Sequence, residues 1–484
     1  MKRDVEMTAH PSPPSEFVRA ITRLDATALV VGSMIGSGIF IVSADIARQV
    51  ESPGLLLLVW ILAGVITLMG ALTYGELAAQ FPKAGGQYVY LREAISPLFG
   101  FLYGWTLFMV IQTGTIAAVA VGFARFVSVL VPQLSPRTMI GFTVSLPSGP
   151  IEVGLSPQRL LAIASIFVLT WINVRGVRVA AFVQTLLTSI KVLSLVALIL
   201  LGLTIGRSGV AVAANFGATF WPQGGVGFGA LPLLGAAMVG ALFAMDAWNN
   251  VGFAADELRR PSRDLPFAML TGVVTVTVLY VSANVAYLNV LGIDAIANAP
   301  QDRVATAVLE AIFGAPGMYV MAAAIVISTI GCNNGLILSG ARVYYAMARD
   351  GLFFGKAAEL HPTHKTPAFG LFVQAGWASV LCASGTYGQL LDYVVFAALM
   401  FYLLTAIGLF ALRRSRPDAE RPVVVPGYPW LPAAYAVLTA ALCLDLLIEK
   451  PQYSWLGLGI VALGLPVYAM WRRWGANAIL DLKV

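Results

Sequence analysis

Apolar runs of roughly 20 residues recur along the whole chain, and a run of that length crosses the hydrocarbon core of a bilayer as an α-helix. Only 11% of the 484 residues are charged and the mean hydropathy is +0.82, whereas soluble domains carry about 25% charged residues. An outer-membrane barrel would instead show short segments of alternating hydrophobicity. We therefore predict an all-α integral membrane protein with about twelve spans. They cover approximately residues 25–48, 55–79, 98–131, 158–174, 182–205, 231–255, 265–291, 316–348, 368–384, 390–412, 431–448 and 455–474.

The basic residues are concentrated in alternate loops between these runs. Arg175 and Arg178 lie in one such loop, and Arg259, Arg260 and Arg263 lie in another. Lys and Arg are enriched in the cytoplasmic loops of membrane proteins. The pattern predicts an even number of spans with both termini in the cytoplasm, in the inner (cytoplasmic) membrane of a cell. Membrane topology therefore explains the net charge of +6 without a nucleic-acid partner.

Small residues interrupt the first span at its centre, where Gly32–Phe40 contains three glycines and two serines. Inside a bilayer every backbone N–H and C=O needs a partner, so a loosened helix is tolerated only where it faces protein, a cavity or a ligand. Helix packing through small residues at Gly32 and Gly36 is the simpler explanation of this stretch taken alone. A second interruption elsewhere in the chain favours a binding site instead.

That second interruption lies in the sixth span, where Asp246, Asn249 and Asn250 occur at membrane depth. An ionisable group there costs at least about 2.5–3.5 kcal/mol unless it is solvated or paired. The first and sixth spans each open a block of five spans, and the odd number gives the two blocks opposite orientations. Matching interruptions in two halves are the best sequence indication of a transporter's midplane site. The predicted divisions are a cytoplasmic tail at 1–24, repeats at 25–206 and 207–412, and two additional helices at 413–484.

A broken helix has free N–H groups at the start of its second half and free C=O groups at the end of its first half. The former attract anions and the latter attract cations. An α-amino acid carries both charges on adjacent atoms, so two facing breaks suit it better than a sugar or a simple ion. We expect the backbone N–H groups of Ser37, Gly38 and Ile39 to bind its carboxylate. The predicted substrate site comprises Ser33, Met34, Ile35, Gly36, Ser37, Gly38 and Ile39 from the first span and Phe243, Ala244, Asp246, Trp248 and Asn249 from the sixth, with Met34, Ile35, Phe243 and Ala244 offering carbonyls or pocket wall to the ammonium.

Several of these stretches resemble signatures of one family. Gly32–Phe40 is similar to the GxxxGSGIF motif of the amino acid–polyamine–organocation superfamily. The stretch from Phe243 to Leu258 resembles the FAYxGWNxLNxxTEEL segment of its L-type amino acid transporter branch, and 260–266 resembles the NPxRNLP loop that follows. The eighth span, through Asn334 to Arg342, is also similar. The resemblance extends over most of the chain.

The resemblance implies a LeuT-type fold of two inverted five-helix repeats plus two further helices, with the first and sixth helices broken. It implies secondary-active transport of L-amino acids by alternating access, with exchange as the preferred mode and neutral amino acids as the preferred substrates. Lys191 resembles the fifth-span lysine of many relatives, where an ammonium can replace the sodium ion of sodium-coupled members. Lys191 fits two roles: it is either a proton carrier or a fixed cation that holds the first and eighth spans together.

Two departures from the family pattern bear on substrate and partner. Asp246 occupies a position that is often glycine in transporters of large neutral amino acids, and an acidic residue there resembles relatives that accept cationic substrates. Exchange of cationic amino acids or polyamines, and proton-coupled symport, are therefore the alternative functions. The loop at 132–157 lacks the cysteine that links the eukaryotic branch to a single-span glycoprotein, so we predict no such partner.

Structural roles compete with the functional ones at several of these residues. The Asp246 carboxylate also fits a purely structural role, in which it only forms hydrogen bonds with neighbouring polar groups. Phe243 and Trp248 are as compatible with packing as with gating, because aromatic residues fill protein interiors. Asn333 and Asn334 suit either a vestibule or hydrogen bonds between helices.

Other functional classes fit the sequence less well. A channel needs a continuous polar stripe along several spans, and the sequence has none. A membrane enzyme needs convergent acids, histidines or a nucleophile at one depth. No P-loop motif for ATP occurs, and the three cysteines lie in apolar runs without metal-ligand spacing, so we expect no cofactor and no metal. A receptor that binds an amino acid without transporting it is a remaining alternative function.

Overall fold

The structure is a computed structural model that describes residues 17–146, 149–222, 227, 231–384 and 387–481. Its helices are α1 Arg23–Met34, α2 Gly38–Val50, α3 Pro53–Gln80, α4 Gln87–Ala94, α5 Pro97–Thr106, α6 Gln112–Leu130, α7 Pro157–Val174, α8 Val177–Leu203, α9 Gly209–Phe216, α10 Leu231–Ala244, α11 Pro261–Val290, α12 Ile293–Ala297, α13 Val304–Phe313, α14 Ala315–Arg349, α15 Ala368–Ser384, α16 Tyr387–Ser415, α17 Trp430–Glu449 and α18 Pro451–Asp481. Strands β1 Ile140–Leu146 and β2 Gly149–Leu155 form an antiparallel pair, with Ile140 opposite Leu155.

The helical membrane protein predicted from the sequence is confirmed. Among the described residues, ten helical stretches are long and apolar enough to cross a membrane. The two remaining predicted runs, the sixth and the ninth, also have helical counterparts. The sixth is α10 followed by a 3₁₀ helix at Trp248–Glu257, and the ninth is the 17-residue helix α15.

Local sequence explains where several helices begin. Ser52 accepts a hydrogen bond from the backbone N–H of Leu55, and Pro53 occupies the first position of α3. Ser156 and Pro157 start α7 in the same way. A serine at the cap supplies an acceptor for an otherwise unpaired N–H, and proline at the first position has no N–H to satisfy. These starts therefore leave few backbone donors unpaired at the ends of the spans.

Two features of the fold were not predicted. The third span contains a π-helical turn at Leu107–Ile111 between α5 and α6, and such turns are frequent at functional sites. The loop at 132–157 forms the hairpin of β1 and β2. The π turn leaves no periodicity signal, because it is one extra residue in an otherwise helical run. The hairpin does leave one, since apolar residues alternate with small or polar residues along 140–146.

One end of the helix bundle is held by contacts between the N-terminal segment and the residues after the sixth span. Residues 1–16 of the predicted tail lie outside the described residues, whereas Ile21 is buried and pairs with Leu258 in a β-bridge. The backbone N–H of Ile21 donates to the carbonyl of Glu257 at 2.9 Å. The last part of the predicted tail is therefore packed into the fold.

Beside this bridge, Glu257 and Arg342 form an ion pair that joins the end of the sixth segment to α14. An Arg342 side-chain nitrogen lies 2.9 and 3.2 Å from the two Glu257 carboxylate oxygens, and each side chain is only 1% exposed. Removing one partner of a buried pair leaves the other charge uncompensated, which costs about 3–5 kcal/mol. The pair therefore fixes the two elements to each other.

We predict that Arg342→Met lowers the melting temperature of the purified protein strongly, because Glu257 is left buried without its partner. Arg349→Met, at the exposed end of the same helix, should change the unfolding free energy by no more than about 0.5 kcal/mol. The double variant Glu257→Gln with Arg342→Met should recover part of the loss. Equal melting temperatures for the two single arginine variants would show that the pair is not structural.

Candidate functional site

The first span is broken where the sequence predicts. Helix α1 ends at Met34, Ile35 leaves the helical conformation with ψ at 86°, and α2 begins at Gly38. Ser37 occupies the cap position of α2, and its side chain makes no capping hydrogen bond. The first N–H groups of any helix have no acceptor within that helix. The backbone donors of Gly38 and Ile39 therefore lie in the first turn of a helix that begins inside the protein.

The sixth segment is broken at the same level. Helix α10 ends at Ala244, and the chain turns through Met245, Asp246 and Ala247 before the 3₁₀ helix. Ala247 has φ of 69° and ψ of 6°, which is the left-handed conformation. A residue other than glycine pays of order 1–3 kcal/mol in that conformation, so the surrounding packing must hold the turn in place. The turn directs the Asp246 side chain towards α16.

The two breaks touch each other, and glycine is required at the contact. A Cβ added to Gly38 would lie 2.6 Å from the Cβ of Ala244 and 3.0 Å from its Cα. Contacts under 3.0 Å essentially do not occur for real Cβ atoms. The absent side chain of Gly38 therefore allows α2 to approach the end of α10.

A buried cavity lies between the breaks. It is lined by Ser33, Met34, Gly36, Ser37, Gly38, Thr115, Val119, Phe243, Ala244, Asp246, Ala247 and Cys332. Eight of these belong to the predicted substrate site. The predicted residues Ile35, Ile39, Trp248 and Asn249 do not line this cavity. Thr115, Val119, Ala247 and Cys332 were missed, because nothing in the sequence indicates which face of the third and eighth spans meets the breaks.

A buried tyrosine lies between the carbonyl ends of the two first half-helices. The hydroxyl of Tyr280, in α11, is 3.0 Å from the carbonyl oxygen of Met34 and 3.2 Å from that of Ala244. A phenol has one proton, so it donates to one of these oxygens at a time. Tyr280 therefore ties both breaks to α11. It was not predicted, since an isolated tyrosine in an apolar run is indistinguishable from packing.

Lys191 donates hydrogen bonds to backbone carbonyls at the C-terminal end of α1. Its Nζ donates to the carbonyls of Gly32 and Ile35, each at 2.8 Å, and the side chain is 1% exposed. Ser328 donates to the same Ile35 carbonyl at 3.3 Å, and Cys332 donates to the carbonyl of Ser33 at 2.9 Å. A cation at the C-terminal end of a helix is stabilised by the helix dipole. Lys191 thus lies where α1, α8 and α14 meet.

Asp246 stands between three cavities. Its carboxylate accepts a hydrogen bond from the hydroxyl of Tyr402 in α16. One neighbouring cavity is rich in carboxamides and is lined by Gln87, Gln112, Asn249, Asn250, Tyr103, Leu107, Ile111, Thr115, Ala247, Leu336, Ala398 and Tyr402. The other is mainly apolar and is lined by Ile66, Thr67, Leu242, Met245, Trp248, Val395, Ala398, Leu399, Tyr402 and Tyr435. Asp246 therefore adjoins the cavity between the breaks, which we call the central cavity, and both of its neighbours.

Trp248 and Asn249 make contacts away from the cavity between the breaks. Trp248 is 2% exposed and packs edge-on against Tyr74, with ring centroids 4.9 Å apart. Asn249 donates from Nδ2 to Oε1 of Gln87 at 2.9 Å, and Gln87 donates in turn to Thr405. These contacts fix the 3₁₀ helix to α3, α4 and α16.

The two asparagines predicted for a vestibule lie within the helix bundle. Asn334 donates to Oε1 of Gln184 at 2.9 Å and accepts from Asn173 at 2.9 Å, so it joins α14 to α8 and α7. Asn333 is 2% exposed, and its Oδ1 has no hydrogen-bond partner among the described residues. Neither residue lines the three cavities around Asp246.

The arrangement is suited to binding a small polar molecule. Backbone donors at the start of α2 and carbonyl groups at the end of α10 face one cavity, so it offers sites for a negative and a positive group close together. In the part of the chain that the structure describes, no group of three or more His, Cys, Asp or Glu residues is placed to hold a metal ion.

Comparisons with known proteins give one matching family model and several similar proteins. The family model described as amino acid permease matches residues 21–454. The chain is 31% identical over 465 residues to the Large neutral amino acids transporter small subunit 2 of Mus musculus, covering 94% of this chain and 81% of that protein. It is 28% identical over 463 residues to the b(0,+)-type amino acid transporter 1 of Mus musculus, with 94% and 88% covered. The Asc-type amino acid transporter 1 of Homo sapiens is 29% identical over 463 residues, with 94% and 83% covered.

We predict that Gly38→Ala weakens ligand binding, because its Cβ would push α2 away from Ala244 and separate the two breaks. The matched control is Gly376→Ala in α15, where an added Cβ meets nothing within 4 Å. Binding is measured on purified protein as the thermal stabilisation produced by a panel of amino acids. We expect at least about a tenfold weaker apparent affinity for Gly38→Ala only, which is about 1.4 kcal/mol. Unchanged affinity would mean that contact between the breaks is not needed.

Proposed function

Because the chain belongs to the amino acid permease family and is an amino acid transporter rather than an enzyme, we propose that it exchanges neutral L-amino acids by alternating access. The observation that carries this proposal is the buried cavity shared by two facing helix breaks. The two breaks offer complementary backbone groups to the carboxylate and the ammonium that every α-amino acid carries. The substrate side chain is then left to the residues around Asp246.

The orientation of the substrate follows from which backbone groups are already used. The carbonyl of Ile35 accepts from Lys191 and Ser328, and that of Met34 accepts from the backbone N–H of Gly36 and from Tyr280 for part of the time. We therefore assign the ammonium to the end of α10, at Ala244, whose carbonyl shares the hydroxyl of Tyr280 with Met34. The carboxylate is assigned to the start of α2, at Gly38 and Ile39.

Preference for neutral substrates is supported by the surroundings of Asp246. Its carboxylate already accepts a hydrogen bond from Tyr402, so a cationic side chain would compete with an existing donor. Cationic amino acids are the second candidate class, because Asp246 is only partly buried and lines the central cavity. A carboxylate within reach of a substrate cation would favour binding through charge-assisted hydrogen bonds.

Exchange is favoured over coupling to an ion by the place of Lys191. Its ammonium bonds to two carbonyls at the end of α1, where a coupling cation would otherwise find its ligands. A permanently placed cation stabilises the break without entering or leaving during the cycle. Proton symport through Lys191 is the alternative mechanism.

The remaining parts of the proposal concern topology and assembly. We place the protein in the cytoplasmic membrane with both termini inside, so that the Glu257–Arg342 pair lies on the inner side. We also propose that the segments 25–206 and 207–412 are inverted repeats, with 413–484 as additional helices. A disulfide-linked glycoprotein partner is not expected, because the loop at 132–157 has no cysteine.

We predict that proteoliposomes preloaded with an unlabelled neutral amino acid take up radiolabelled neutral amino acid faster than empty ones do. The same vesicles are then tested with an inward pH gradient and no internal amino acid. Stimulation by internal substrate alone supports exchange, whereas uptake driven by the pH gradient alone supports proton symport. Absence of flux for every amino acid tested would contradict transport itself and favour a receptor.

We predict that Asp246→Asn lowers the ratio of arginine to leucine uptake by at least about tenfold, because it removes the one negative charge at the cavity and every 1.4 kcal/mol is tenfold. The matched control is Asp294→Asn in α12, which lies away from the cavity. An unchanged ratio would show that Asp246 is a structural carboxylate held by Tyr402.

A further inference from the structure

A cluster of charges occupies the end of the bundle opposite the Glu257–Arg342 pair. Arg48, at the end of α2, donates from NH1 to the Asp302 carboxylate at 2.7 Å and to the carbonyl of Ala297 at 2.8 Å. Arg125, in α6, lies 3.8 Å from the other Asp302 carboxylate oxygen and donates to the carbonyl of Gln301 at 3.3 Å. One carboxylate on the loop between α12 and α13 therefore bridges two arginines on different spans.

Both of these spans also line the central cavity. Arg48 is ten residues beyond Gly38 on α2, and Arg125 is ten residues beyond Thr115 on α6. At a rise of 1.5 Å per residue, each arginine lies about 15 Å along its helix from the cavity. The cluster therefore links, through one loop, two helices that both line the same cavity. Separation of α2 from α6 at this end would require the cluster to open.

The loop is held in a strained conformation at this point. Gln301 and Asp302 have φ of 53° and 62°, so two consecutive residues other than glycine are left-handed. Such residues persist only where surrounding contacts determine them, and they occur often at clamps and switches. Here the conformation presents the Gln301 carbonyl and the Asp302 carboxylate to Arg125 at the same time. Opening of the cluster would remove contacts that hold the strained backbone.

We propose that Arg48, Asp302 and Arg125 form a latch that keeps the central cavity closed to the side of the membrane opposite Glu257–Arg342. The side chains are between 22% and 42% exposed, so the latch is weak. Exposed pairs of this kind shift the equilibrium between the closed and the open latch by up to about fivefold. A latch that must open in every transport cycle needs no stronger interaction. The latch concerns the gating of the cavity and leaves substrate choice to the residues around Asp246.

Cys332 provides a native reporter of the latch, because its thiol lines the central cavity and is 2% exposed. In a Cys382→Ala, Cys443→Ala background it is the remaining cysteine. Intact cells are treated from outside with a membrane-impermeant methanethiosulfonate, and Cys332 modification is followed by mass. We expect Asp302→Asn and Arg48→Gln each to raise the labelling rate about fivefold. Arg48→Lys, which keeps the charge, should stay close to the parent.

Two further measurements keep the proposal falsifiable if a variant folds poorly. Raising the ionic strength from 0.1 to 1 M shortens the Debye length from about 10 to about 3 Å, so it should speed labelling of the parent but not of Asp302→Asn. Asp294→Asn, in α12 just before this loop and outside the latch, should not change the rate. A rate unaffected by both variants and salt, or raised only when reagent is applied from inside, overturns the proposal. Labelling requires no amino acid flux, so failure here is distinguishable from failure of the transport proposal.

Discussion

The structure depends on one constraint, namely that backbone polar groups inside a bilayer need partners. Each broken span has carbonyls at the end of one half-helix and N–H groups at the start of the next. At the first break, Lys191, Ser328, Cys332 and Tyr280 supply donors to four consecutive carbonyls, from Gly32 to Ile35. Neighbouring helices thus satisfy the carbonyl side, and the donor side at Gly38 and Ile39 is the part best placed to meet a ligand.

The same constraint explains how polar residues are distributed through the bundle. Glu257 and Arg342 neutralise each other at one end, and Asn173, Asn334 and Gln184 form a chain of carboxamide hydrogen bonds between scaffold helices. Asp246 differs from these groups because it faces cavities on several sides. Polar groups that only hold helices together are buried among protein partners, whereas the one carboxylate at the centre adjoins open space. That difference is the reason for proposing Asp246 as a determinant of substrate choice.

The sequence was sufficient to predict the class of fold, the positions of most spans and both breaks. Gly32–Phe40 is unusual for any membrane helix, and Asp246 is expensive at membrane depth, so both are visible without a structure. Tyr280, Thr115 and Cys332 could not be found in the same way, because tyrosine, threonine and cysteine are common in packed spans. Their importance follows from which faces of α11, α6 and α14 meet the breaks, and this is set by tertiary packing. The turn at Ala247 was also invisible, since glycine, asparagine and aspartate are the residues that indicate a left-handed conformation and alanine is not.

The first span and the sixth segment are joined at several levels. Ile21 is paired with Leu258 near one end, Tyr280 spans Met34 and Ala244 at the breaks, and Gly38 contacts Ala244 beside the cavity. Because they are joined at successive levels, the first span and the sixth segment move together as one body and not independently. The segment at Ile21 is therefore coupled to the cavity between the breaks, about 20 Å away along α1. A force applied to the N-terminal segment would be transmitted to that cavity.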